Sequence, residues 1–143
     1  MGPAVSDAAS WYEESQMVGI IATPAMGIMI ESLKKTLEVL KKQGKASKLF
    51  NEDLFYLIFK EYHVPLKSNE TFKMWTINWP LFLYYNVDED KEKTCMKFYS
   101  SLSSYPVPKG VENKYKNTID YFESSIQEHD EKMGMVSEPN NKL

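Results

Sequence analysis

The sequence predicts an all-α, single-domain protein, an irregular bundle of five or six helices in which two helices carry heptad patterns. Three observations lead there. Met26, Ile30, Leu33, Leu37 and Leu40 recur at 4-3-4-3 spacing, and Tyr115, Ile119, Phe122, Ile126, His129 and Met133 recur at 4-3-4-3-4. Side chains three and four apart share a helix face, so each series is an a/d seam. Capping residues and C-terminal glycines bracket these periodic stretches. Leu81–Tyr85, the short apolar run that also reads as a strand, has no second strand-like run to pair with.

Residues 1–9 are expected to be a flexible N-terminus. Ser10-Trp11-Tyr12-Glu13 is a capping box and opens the first helix. From Ser15 to Ile30 no residue is charged. The stretch is short for a membrane span, and Pro24 interrupts it. It reads as a buried helix pair broken at Thr23-Pro24, with Thr23 as N-cap and Pro24 first in the helix. Gly19, Ala22, Ala25 and Gly27 permit close backbone contact there. The competing reading is a hairpin that touches a membrane or is buried by a partner.

The next helix carries the first seam. Glu31–Lys35 and Glu38–Lys42 are favourable i,i+4 pairs, Lys41 and Lys42 suit the C-terminal dipole, and Gly44 suits the C′ position. Asn51 caps a third helix, with Phe50 and Phe55 placed as a hydrophobic staple and Leu54, Phe55, Ile58 and Tyr62 as its stripe. Val64-Pro65 ends it. Ser68 caps a fourth segment containing Phe72, Trp75, Ile77 and Trp79, which Pro80 breaks. Leu81–Tyr85 is read as helical. Asp88-Glu89-Asp90 opens a fifth helix with the stripe Cys95, Phe98, Tyr99 and Leu102, and Ser103–Gly110 is an extended loop. A sixth helix starts near Asn113, carries the second seam and closes at Gly134. The helical domain thus spans 10–134, and the polar tail 135–143 is expected to be disordered.

The chain has 143 residues, 43% of them apolar and 26% charged, the balance of one globular domain. Such a length buries roughly two-thirds of the surface its unfolded form exposes. Nine Tyr, seven Phe, three Trp and eight Met supply large and adaptable core material. The net charge is −3 and every one of the 17 bases is Lys. Without Arg, the residue suited to bidentate phosphate contacts, and with an acidic balance, no nucleic-acid partner is expected. Cys95 is alone, which excludes an internal disulfide and fits a reducing compartment. Asp7, Glu13 and Glu14 stand where a secretory signal needs basic and apolar residues, so the expectation is intracellular and not secreted. Met1–Ser6 fits the myristoylation pattern loosely, but Pro3 disqualifies it, and the sequon at Asn69-Glu70-Thr71 is read as chance.

Few residues suggest chemistry. His129 lies on an apolar seam beside Glu128 and Asp130, where a half-buried, carboxylate-held histidine is the simpler role. His63 is placed at a helix end, where the dipole favours it. Asp88, Asp90 and Glu92 begin like a calcium loop, but Lys93 and Tyr99 stand where glycine and a bidentate Glu are required. P-loops, GxGxxG loops, nucleophile elbows and metal-ligand spacings are absent. No catalytic residue, metal, cofactor or small-molecule substrate is therefore expected. The density of Trp75, Trp79, Phe82, Tyr84 and Tyr85 admits three readings: core, protein interface, or apolar ligand pocket.

Ile77-Asn78-Trp79, Tyr84-Tyr85, Lys97-Phe98, Leu102 and Tyr105-Pro106-Val107-Pro108 follow one another in an order that resembles the mitochondrial ATP synthase peripheral-stalk subunit d, over about thirty residues. Asn78 replaces that family's acid, and the segment after Trp79 differs. The resemblance implies a helical, non-catalytic subunit that clamps other subunits of a mitochondrial, membrane-associated assembly. The functional expectation is therefore a structural or adaptor subunit binding other protein subunits. Its partner-binding residues are Trp75, Trp79, Phe82, Tyr84 and Tyr85, with the seam residues Tyr115, Ile119, Phe122, Ile126 and His129. Membrane contact through residues 15–30 is the accessory expectation. The alternative is a helical carrier holding a lipid or other apolar small molecule between its helices.

Overall fold

The stretch from Asn51 to Ile77 decides the architecture, and it corrects the all-α expectation. The computed structural model describes residues 3–86, 104 and 110–134, with the side chains of 3–7, 9, 85 and 86 left out. Among these residues the helices are α1 (Pro3–Glu14), α2 (Pro24–Lys42), α3 (Glu52–Ile58), α4 (Trp79–Asn86) and α5 (Glu112–Lys132), joined by strands β1 (Phe59–Pro65) and β2 (Thr71–Ile77). The chain is thus mixed helix and hairpin.

The third helix stops at Ile58, and the residues expected to continue it become β1. The fourth segment, expected to be helical, is β2. The strands pair antiparallel from Phe59↔Ile77 to Pro65↔Thr71. In the connecting loop, Asn69 takes a positive φ of 63°, which Asn tolerates better than most residues, and Leu66 N–H donates to the Glu70 carbonyl at 2.9 Å.

Away from its turn the hairpin is covered on both faces, whereas His63, Phe72 and Lys73 toward the turn are exposed. Val64 and Met74 pack with Tyr121 of α5 and with Met17, while Tyr62 and Trp79 lie against the same cluster. On the other face Trp75 packs with Ile30 and Leu37 of α2 and Phe55 of α3. A sheet buried on both faces loses its apolar–polar alternation, so Met74, Trp75 and Thr76 are buried in succession. The period of two survives only as Tyr62-His63-Val64 and Phe72-Lys73-Met74, runs shorter than the four residues a strand reading needs.

The helix expected between Ser10 and Thr23 is also corrected. α1 begins at Pro3, before the Ser10 box, and ends at Glu14. Residues 15–22 then run irregularly along the hairpin. Gln16 N–H donates to Pro65 at 2.8 Å, Ala22 N–H to Trp75 at 2.8 Å, and Ile77 N–H to Ile20 at 2.9 Å. Asn117 and Thr118 tie this segment to α5: Asn117 Nδ2 donates to the Gln16 carbonyl and Val18 N–H to Thr118 Oγ1.

Other local expectations stand as placed. Thr23 caps α2 with Pro24 next to it, Asn51 Oδ1 accepts from Leu54 N–H at 3.1 Å, and Gly44 and Gly134 hold positive φ just past α2 and α5. Leu81 to Tyr85 lies within α4, with Pro80 in its first turn. The fifth helix, most of the Pro106–Pro108 loop and the tail lie outside the described residues.

Candidate functional site

The expected partner-binding residues do not form one surface. Trp75 is buried; its Nε1–H donates to Glu31 at 3.0 Å, and its ring meets Phe55 edge-on at 5.5 Å. Trp79 stacks obliquely on Tyr121 and Phe122, on the opposite face of the hairpin. Phe82 is half exposed. Tyr84 donates to Asp130 at 3.5 Å and meets the His129 ring at 5.8 Å. The Tyr85 side chain lies outside the described residues. In the α5 seam, Phe122, Ile126 and His129 are buried by the chain itself, and Tyr115 and Ile119 are half-buried. His63 stands exposed on β1 opposite Lys73, not at a helix end.

Two other features emerge. The first is the uncharged stretch itself. Met17 and Ile30 enter the core, but Val18, Ile20, Met26, Ile28 and Met29 are 49–73% exposed. Beside them, Ala22 and Ile28 share a groove of ≈ 560 Å³ with the half-exposed Phe72 of β2. Isolated apolar residues on a surface need no explanation, but five exposed ones within twelve positions and without an intervening charge concentrate apolar exposure in one part of the chain. The nearest flanking charges are Glu13, Glu14 and Glu31, followed by Lys34 and Lys35, and the groove itself carries Glu31, Lys35, Glu61 and Lys73.

The second feature is a cleft of ≈ 1000 Å³ between α3, β1 and the end of α5. Tyr56, Phe59 and Trp75 give it aromatic walls, and Lys60 lies on its lining. The Lys60 side chain is only 3% exposed, and its Nζ lies 2.6 Å from a carboxylate oxygen of Glu128. The contact is a charge-assisted pair that sets a carboxylate against the buried ammonium. Burial lowers the Lys60 pKa from its ordinary value, against the opposing pull of Glu128, and nearby Lys132 lowers it further. Lys132 itself sits 4.1 Å from the centre of the Tyr56 ring.

Asn78 also lines the cleft. Its Nδ2 donates to the Tyr56 carbonyl at 3.4 Å, whereas its buried Oδ1 receives no hydrogen bond among the described residues. Sequence reasoning missed Lys60 and Glu128, since neither belongs to a motif and only the fold brings them together. Among the described residues no group of three or more His, Cys, Asp or Glu is disposed to hold a metal ion, and no helix is long and apolar enough to cross a membrane. Comparison with family models, with curated proteins and with solved structures gives no match.

Proposed function

We propose that this chain is a non-catalytic structural or adaptor subunit that docks on another protein through the open apolar face of residues 18–29. The carrying observation is the exposure of Val18, Ile20, Met26, Ile28 and Met29 in a stretch without charge. Apolar surface of this kind is stabilised by burial at about 25 cal/mol per Å². A protein partner fits better than an anionic membrane, because membrane-surface helices rely on an excess of Lys or Arg and the groove here balances Lys35 and Lys73 with Glu31 and Glu61. The α5 seam contributes less than its periodicity suggests, since three of its members are turned inward. An intracellular assembly remains the setting of this reading, and a mitochondrial stalk is the version the resemblance to subunit d favours.

The test is sedimentation of the protein in extract of its native source. The wild type should travel in an assembly well above the 16.6 kDa of the chain. Ile28→Glu with Met29→Glu should release it as monomer while leaving the melting temperature of the purified protein unchanged. Wild-type protein sedimenting as a monomer in that extract would refute the reading.

A further inference from the structure

We infer, resting on the reading that a protein docks at residues 18–29, that this partner presents an extended segment. The segment adds as a strand to the outer edge of β2 at Thr71 and Lys73 and sets one side chain in the groove between β2 and α2.

Backbone direction defines the edge. In an antiparallel pair, successive residues turn their N–H and C=O alternately toward the neighbouring strand and away from it. Asn78 N–H donates to Ile58 at one end of the hairpin and Leu66 N–H to Glu70 at the other, so the even-numbered residues of β2 face β1. The odd-numbered residues face outward, and at one end they are in use. Ile77 N–H donates to Ile20 at 2.9 Å, and the Trp75 carbonyl accepts from Ala22 at 2.8 Å. Around the Ile21–Thr76 bridge the chain thus supplies its own short third row, antiparallel to β2. That row stops where Thr23 and Pro24 begin α2. Beyond it Thr71 and Lys73 are exposed, and their outward N–H and C=O have no partner among the described residues.

Such an edge is a template for another strand. The groove of ≈ 560 Å³ lies beside it, and Ile28, 73% exposed, and Phe72, 51% exposed, contribute to its lining. Trp75 faces α2, where it packs with Ile30 and Leu37, so Lys73, two residues away, is on the same face. A partner residue paired directly with Lys73 shares that face and enters beside Ile28, where an apolar side chain fits. Other occupants leave the edge unsatisfied. Lipid offers no hydrogen-bond partner to backbone groups, and a helix has already used its own. A second copy of this chain, paired edge to edge about a twofold axis at Phe72 or Lys73, sets Lys73 diagonal to or opposite its counterpart, and like charges so placed repel.

The probes are short peptides selected from a random display library on the purified full chain, then resynthesised with single backbone N-methyl groups. Methylation at alternate residues should weaken binding at least about tenfold, and methylation at the residues between them should not. Lys73→Pro removes an outward N–H that the β1 ladder does not use, so the hairpin should fold and peptide binding should be lost. Lys73→Ala keeps the backbone donor and should bind as the wild type does. Should Lys73→Pro fail to fold, the methylation pattern still decides. A library that yields no binder, a methylation series without alternation, or undiminished binding to folded Lys73→Pro would each overturn the added strand. Native extract separates this failure from that of the docking face. Lys73→Pro remaining in an assembly that Ile28→Glu with Met29→Glu leaves would remove the strand and keep the face, whereas wild-type protein sedimenting alone would remove the face.

Discussion

Tyr121 links three elements through one hydroxyl. Its oxygen lies 2.7 Å from Thr76 Oγ1 and its proton is placed to reach the Ile77 carbonyl at 2.9 Å, while Thr76 donates to the Lys60 carbonyl at 2.8 Å. Tyr121→Phe keeps the buried ring but strips the donor from a buried carbonyl, so a loss of about 1–3 kcal/mol in urea unfolding is expected. Burial pushes the phenol up to about 12 from its ordinary 10.0. Its contribution is thus complete below pH 10 and disappears as pH rises toward 12. Lys60 works in the opposite sense. Its folded pKa lies below 10.5, so the folded chain holds fewer protons than the unfolded chain between that lowered value and 10.5. Stability from this group therefore grows as pH rises through that window. Urea midpoints across pH should show Lys60→Met removing the alkaline gain and Tyr121→Phe removing much of the loss above pH 10. A Tyr121→Phe profile parallel to the wild type would contradict the assignment.

The two cap bonds differ in quality. Asn51 Oδ1 accepts at 3.1 Å, whereas Thr23 Oγ1 accepts at a long 3.4 Å. Asn51→Ala should cost about 1 kcal/mol and Thr23→Ala distinctly less, read as the difference in thermal midpoints. α3 has only seven residues, so its cap, the Lys41–Glu52 pair joining it to α2, and the buried Phe55 carry most of its definition. Phe55→Ala should accordingly cost about 3–5 kcal/mol, since it vacates a fully buried site touched by Trp75, Tyr56 and Phe59. A Phe55→Ala protein as stable as Asn51→Ala would show that α3 is held in some other way.

Across the whole molecule, stability is expected to concentrate where β1 and β2 run between the two apolar clusters, away from the turn. Hydrogen exchange should find the paired amides of β1 and β2 the slowest, with the middle of α5 close behind. The first turns of α2, where Met26, Ile28 and Met29 face solvent, should exchange faster. Rapid exchange of the hairpin would mean that the two clusters do not act as one core. The open face and the lysine-floored cleft lie on different walls of this body, with Trp75 lining both grooves.

What sequence alone determined is local. The course of α2 and α5 follows from heptad spacing, the starts of α2 and α3 from Thr23-Pro24 and Asn51, and the ends of α2 and α5 from Gly44 and Gly134, because each depends on residues within a turn or two. Only the tertiary structure decided the hairpin, since its alternation lasts three residues in each strand, Tyr62-His63-Val64 and Phe72-Lys73-Met74, and the consecutive burial of Met74, Trp75 and Thr76 breaks it. It also decided which apolar residues stay open, because hydrophobicity specifies that a side chain is stabilised by burial and not which neighbour covers it. The cleft was equally illegible: Lys60 and Glu128 are remote in sequence, and the desolvation that makes the lysine unusual exists only once α5 closes over β1.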